Sequence, residues 1–299
     1  MRMPASVLFV GSPFWCRYLA GLLKEGGFLD AYVAGGFWRW LGSRRRSICL
    51  VGLGMPDTAK RALYHFGAYL LDKLGLVEHR VVYWIGSDVM RARPGSRVIG
   101  SAVNVAGSPW LAEEVRERGY ECQTRLFPVR LPSTDSFTFP PSSRLQILCY
   151  LPDSGHELHG SNEIRAVALR FPDIDFRIVG GRGAWWSQPP DNVHFLGWTD
   201  NMVECLAGCH VLLRRTQHDS FSAFVREGIV AQRYVVFTHA VPGVIHVAYG
   251  DLDTLYAVVE DLNRRLKAGG LAPCRQDPGL IAELTDTDSQ LRALAHDYR

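Results

Sequence analysis

The sequence predicts an α/β protein of two Rossmann-like, doubly wound units facing each other across a cleft, and three observations carry that expectation. Its apolar runs are short and rich in Val, Ile and Leu, as in parallel strands buried on both faces. Helix-length amphipathic segments separate those runs, which is the alternation of a parallel sheet covered by helices. The series then stops at a Pro/Ser-rich stretch and starts again, and 299 residues with 47% hydrophobic content suffice for two cores.

Taken in order, the first series places strands at 6–10 (SVLFV), 31–34 (AYVA), 47–53 (SICLVGL), 81–85 (VVYWI) and 97–102 (RVIGSA). Helices are clearest at 58–74 and 109–118. The stretch LPSTDSFTFPPSSR has the composition of an interdomain connection. The second series has strands at 145–150, 175–179, 193–195, 210–213 and 234–238, with helices at 162–170, 201–207, 222–231 and 254–266. After the break GGLAPCRQDPG, a last helix is expected near 288–298. The expected boundaries are 1–132 for the first domain, 133–144 for the linker, 145–275 for the second domain and 276–299 for a C-terminal tail.

Composition narrows the classes. The formal charge of +3 conceals an asymmetry: residues 1–132 carry 18 Lys/Arg against 10 Asp/Glu, and residues 133–299 carry 15 against 20. A basic first half points to an anionic partner. Seven scattered cysteines argue against a disulfide framework and for reduced thiols in the cytoplasm. No apolar run reaches the roughly 18 residues of a membrane helix, and the N-terminus reads as a first strand rather than a leader. Cys205, Cys209 and His210 lie close together but lack the second ligand pair of a zinc site. The Asp-x-Asp pairs at 173/175, 251/253 and 286/288 read as turns and helix caps rather than metal ligands, so no metal is expected.

Several positions could hold a ligand. Gly11 and Ser12 close the first strand, where backbone amides can approach a phosphate or a sugar hydroxyl. Gly180 and Gly181 close another strand and let a flat ring or a phosphate lie against the chain. In HVLLRRTQHDSFSAFVREGIVAQRYVVF, Asp219 and Glu227 stand with seven residues between them, the first before a helix and the second on it. A carboxylate accepting from vicinal hydroxyls can hold a ribose, and the helix start at Ser222 and Ala223 offers free N–H groups to a diphosphate. From spacing alone, Asp219 or Ser220 as a plain cap and Glu227 as a surface residue is an equal reading.

That segment resembles the E-x7-E region of retaining GT-B glycosyltransferases, the broad family-4-like group, with Asp219 in place of the first Glu. GIVAQRYVVFTHAVPGV, FPDIDFRIVGGRG and NVHFLGWTDNMVECLAGCHVLL are similar to neighbouring stretches of the same family, and YWIGSDV and SAVNVAGSPWLAEEV resemble its acceptor-side domain more loosely. The resemblance implies a GT-B fold, with a hexose moved from a UDP- or GDP-linked donor to an acceptor hydroxyl with retention and without a cofactor. It implies that Glu227 binds the ribose, Asp219 contacts the transferred sugar, and the amides of Phe221 and Ser222 meet sugar and diphosphate. The family's diphosphate-binding Arg and Lys are missing from YLPDSGHELHGSNE, leaving His156 or His159, or better Arg214 and Arg215, to supply positive charge. Asp88 follows a first-half strand and is a candidate to position or deprotonate an acceptor hydroxyl, or simply a helix-start residue. His218 and His239 are expected to be structural.

The segment GGFWRWLGSRRRS gathers Trp38, Arg39, Trp40, Arg44, Arg45 and Arg46, a set suited to an anionic lipid surface, glycan or nucleic acid and consistent with a peripheral location at a membrane. Three other readings share these features: a sugar-nucleotide epimerase or hydrolase, a DNA-directed glycosyltransferase, and a non-catalytic binding protein on a degenerate scaffold.

Overall fold

A computed structural model describes residues 6–43, 46–52 and 70–298. It divides into two compact units, one of residues 1–129, 218–221 and 286–299, the other of 130–217 and 222–285.

The first unit contains a parallel six-stranded sheet of β1 (Ser6–Gly11), β2 (Asp30–Tyr32), β3 (Arg46–Val51), β4 (His79–Trp84), β5 (Val103–Ala106) and β6 (Cys122–Thr124). Their order is β2-β1-β3-β4-β5-β6, so the winding reverses between β1 and β3. The central strands are buried through Leu8, Cys49, Val82 and Val105, as the unbroken Val/Ile/Leu runs require. The helix Thr287–His296 and Tyr298 belong to this unit; Tyr298 is fully buried, and Arg125 binds the carboxylate of Asp297 and the carbonyl of Ala293.

The second unit contains β7 (Gln146–Leu151), β8 (Asp175–Gly180), β9 (Val193–Gly197), β10 (Val211–Arg214), β11 (Tyr234–Phe237) and β12 (Ile245–His246), again all parallel. The order β12-β11-β10-β7-β8-β9 reverses between β7 and β10. Its core is built on Ile147, Cys149, Phe176, Leu213 and Val236, all fully buried. The stretch 133–144 lies on this unit, where Arg233 faces the rings of Phe137 and Phe139 and donates to the Thr138 carbonyl at 2.6 Å. In each unit the reversal marks the crevice at the carboxyl ends of the strands where doubly wound sheets bind ligands.

Local departures from the sequence expectation have physical causes. Residues 97–102 were expected as a strand; Arg97–Gly100 is a helical turn and the strand is Val103–Ala106. Ser101 Oγ donates to the Arg97 carbonyl at 2.6 Å, and Asn104 Nδ2 donates to the carbonyls of Ile99 and Ala102, so polar groups tie down what hydropathy reads as one run. The helix Pro278–Thr285 was hidden by the Gly/Pro-rich stretch before it. Most of the helix expected at 58–74 lies outside the described residues; of the part described, 70–73 are helical and 74 is in the turn that follows. The Asp-x-Asp pairs are structural. Asp251 and Asp286 cap helices by accepting from the amides of Thr254 and Ser289, Asp173 binds Lys267 and Asn263, and Asp175 pairs with Arg144.

Candidate functional site

In the second unit, candidates gather at the carboxyl ends of β7, β8 and β10. After β7 the chain runs through the short turn His156–His159 to Gly160, which has φ of 78°, and enters the helix Ser161–Arg170. A Cβ on Gly160 would stand 2.3 Å from the Arg215 carbonyl oxygen, so only glycine lets this loop press against the end of β10. Arg214, the last residue of β10, lies with its Nη1 3.0 Å from His159 Nδ1 and its guanidinium over the Tyr150 ring at 5.4 Å. A guanidinium can only donate, so His159 Nδ1 accepts and the ring is uncharged. Burial, reinforced by the Arg214 charge, pushes its pKa down to about 3. His159 is therefore not a substitute cation, as the sequence suggested; it is the acceptor that orients Arg214.

His156 places Nδ1 2.9 Å from Ser161 Oγ and stacks on Trp185 at 4.1 Å between ring centroids. Arg215 also departs from expectation. It is fully buried, donating from Nε to Glu163 Oε2 at 2.5 Å and from Nη1 and Nη2 to the carbonyls of Val247 and Ala248. Glu163 Oε1 accepts from the Gly250 amide. With each side-chain nitrogen bonded inside the protein, Arg215 braces the end of the sheet and is not presented to a diphosphate. Of the expected pair, Arg214 alone is placed at the strand end with its charge facing aromatic and imidazole neighbours.

Gly180 and Gly181 have steric reasons to be glycine. A Cβ on Gly180, where φ is 102°, would meet the Tyr150 ring at 2.7 Å, and one on Gly181 would meet the Asp153 amide at 2.7 Å. Asp153, absent from the sequence expectations, accepts from the amides of Arg182 and Gly183 at 2.9 Å; these bonds hold its carboxyl below the usual range. An acidic residue two positions past one strand, opposite a Gly-Gly-x-Gly run past the next, is a signal that could have found it.

The helix Ala223–Val230 begins at the N-cap Ser222, whose Oγ accepts from the Val225 amide at 3.4 Å. Glu227 lies in its second turn, half-buried in surface terms yet surrounded closely enough that burial, opposed by Arg226, pushes its carboxyl up to about 7. The sign of the consequence is fixed. The raised pKa favours the protonated folded state, so Glu227 lends stability in acid that is lost as pH rises from about 4.5 toward 7. Glu227→Gln should flatten that part of the stability profile, measured as thermal midpoint against pH.

In the first unit, Asp219 is buried, forms an antiparallel bridge with Gly86 and accepts at its carbonyl from Trp110 Nε1 at 2.6 Å. Around it, His218 Nδ1 lies 2.8 Å from Glu114, and the Phe221 ring is 6.4 Å from Trp110. Gly86 has φ of 137°, and a Cβ there would be 3.0 Å from the His218 carbonyl oxygen. Asp88 is buried, and its Oδ1 accepts from the amides of Ile85 and Gly86 at 3.1 and 2.8 Å, shaping the turn that receives Asp219. At the end of β1, a Cβ on Gly11 would meet the Val51 carbonyl oxygen at 2.3 Å, and the Ser12 amide donates to that oxygen at 2.9 Å. The Ser12 N–H is therefore engaged within the sheet rather than offered to a ligand.

The aromatic and basic segment divides. Trp38 is 73% exposed, whereas Trp40 is fully buried with Nε1 donating to the carbonyls of Ser6 and Ser47. Arg46 donates to the carbonyls of Leu41 and Leu76. Trp40 and Arg46 are thus parts of the fold rather than of a docking surface; Arg39 is exposed, and Arg44 and Arg45 lie outside the described residues. Cys209 and His210 are likewise structural, Cys209 Sγ donating to the Leu206 carbonyl and His210 Nδ1 accepting from the Gln146 amide.

Two parallel six-stranded sheets of this order, with their helices, make an α/β architecture that matches the GT-B fold. Among solved structures, the chain is similar to sucrose-phosphate synthase from Thermosynechococcus elongatus, at a TM-score of 0.67 and 10% identity over 98% of both chains. It is similar also to Anabaena HepE in complex with UDP-glucose, at 0.65 and 11% over 98% of both chains. The lipopolysaccharide outer core galactosyltransferase WaaB, in its apo form, aligns at 0.65 and 11%, again over 98% of both. No family model and no curated protein matches the chain.

Proposed function

We propose that the chain is a retaining glycosyltransferase that moves a hexose from a UDP- or GDP-linked donor to an acceptor hydroxyl, with no metal or other cofactor taking part. The observation that carries the reading is Arg214, a buried cation held at the carboxyl-end reversal of the second unit's sheet by an uncharged histidine. The fold likeness to proteins solved with UDP and UDP-glucose supports it. Arg214 and the N–H groups opening the helix Ala223–Val230 would stabilise the diphosphate as its negative charge develops. Glu227 would accept from the ribose hydroxyls, and Asp219 would meet the transferred sugar. Asp88 is assigned to shaping the Gly86 turn, which leaves the leaving phosphate to assist the incoming hydroxyl. The acceptor side is assigned to the first unit, with Trp38 and Arg39 available to an anionic acceptor. A reducing, cytoplasmic setting is part of the proposal, argued from seven cysteines scattered without disulfide or metal spacing. Among the described residues no helix is long and apolar enough to cross a membrane.

A thermal-shift series with UDP, GDP, ADP and dTDP sugars tests the reading. One of them should stabilise the protein by about 2.7 kcal/mol at a hundredfold excess over its Kd. Absence of a shift with every donor would remove the proposal. A second measurement concerns Glu227. Hydroxyls donating to its carboxylate favour the ionised form, so UDP binding near pH 6 should release a proton and should strengthen as pH rises through about 7. Calorimetry in buffers of different ionisation enthalpy reads that release, and Glu227→Gln should abolish it.

A further inference from the structure

A cavity of about 490 Å3 opens on the first unit, lined by Asp72, Lys73, Arg80, Arg97, Gly100 and Ser101. It lies at the amino ends of β4 and β5, away from the carboxyl ends that carry the residues discussed above. Arg80 is fixed in it, with Nε 2.8 Å from Asp72 Oδ1 and Nη1 donating to Ser101 Oγ at 2.7 Å; Ser101 in turn donates to the Arg97 carbonyl. The lining thus holds one largely buried carboxylate, paired with Arg80, and three cations, a net charge of +2.

We propose that this cavity binds a phosphomonoester, the phosphate seated among Lys73, Arg80 and Arg97. A phosphomonoester carries about −1.5 to −2 charges near neutral pH, which matches the lining, and guanidinium groups suit its oxygens. The volume falls within the roughly 300–1,000 Å3 of small-molecule pockets and exceeds what a bare phosphate fills, leaving room for the esterified group. The excess of basic residues in 1–132 favours capture of such an anion. This site does not depend on the glycosyltransferase reading.

The test uses the full chain at low ionic strength. Calorimetry with glycerol 3-phosphate reads a soluble source, and co-flotation with phosphatidylcholine vesicles, with and without phosphatidic acid, reads a lipid headgroup source. Lys73→Gln and Arg97→Gln should each weaken binding about tenfold, whereas Lys24→Gln, elsewhere on the same unit, should not. Lys24 and Arg97 are exposed, and thermal midpoints confirm folding of every variant. Binding of glycerol 3-phosphate that falls in the two variants supports the proposal with a soluble ligand, and capture by phosphatidic acid vesicles alone, lost in the same variants, supports it with a headgroup. Absence of binding to both probes, or binding equal in wild type and both variants, would overturn it. UDP added to saturation should leave the glycerol 3-phosphate affinity unchanged, which separates this cavity from the donor site.

Discussion

Replacing Arg214 by glutamine is expected to weaken UDP binding by about 10- to 100-fold, the worth of one or two hydrogen bonds to a charged group. Arg214 is buried at the end of β10, over the Tyr150 ring and against His159. Lysine at the position keeps the charge but loses the planar fork, so Arg214→Lys should fall between wild type and Arg214→Gln. His159→Leu keeps the cation but removes the acceptor that aims it, and should give an intermediate loss that does not vary between pH 6 and 8, because the imidazole is uncharged throughout that range. Isothermal titration with UDP measures all three, with circular dichroism to confirm folding. UDP affinity equal to wild type in Arg214→Gln would sink the assignment.

The second large effect is on stability. Arg215→Met and Glu163→Leu should each destabilise the protein by about 3–5 kcal/mol, because either leaves a buried charge without its partner. Combining them removes both charges and should restore part of the loss, although the carbonyls of Val247 and Ala248 and the Gly250 amide still lose their bonds. Thermal midpoints of the four proteins form the cycle. The contrast with Arg214 matters as much as the size. Arg215→Met assayed well below its midpoint should bind UDP as wild type does, and a binding loss without destabilisation would return Arg215 to the ligand.

Arg214 and Arg215 also show how far the sequence could be read. Both stand at the end of one apolar run, and strand alternation places them on opposite faces without saying which face is braced from within. The decision came from Glu163 and from the carbonyls of Val247 and Ala248, 52, 32 and 33 residues away, and no local pattern encodes such pairings. The same holds for Trp40, whose indole reaches the Ser6 carbonyl 34 residues back, so that its neighbours suggested a surface and its partner put it in the core. The alternation of strands and helices was legible because it depends on burial along a run, which hydropathy reports directly. It failed at 97–102, where side-chain hydrogen bonds from Ser101 and Asn104 override the apolar signal. His159 is a further case: its position was legible and its charge was not, since desolvation and the adjacent cation exist only in the folded chain.

The division of the chain into units bears on how such a protein can be rebuilt. Residues 218–221 and 286–299 go with the first unit although each follows a stretch of the second. A chimera joined at one point near residue 130 would take its amino-terminal half from one parent and the buried Tyr298, with the Asp297 that Arg125 grips, from the other. It would also bring a foreign 218–221 to the Gly86 turn, where a bridge and a tryptophan N–H expect a particular backbone. The two halves are therefore not interchangeable cassettes, and recombination that preserves folding has to exchange three separate pieces of sequence together.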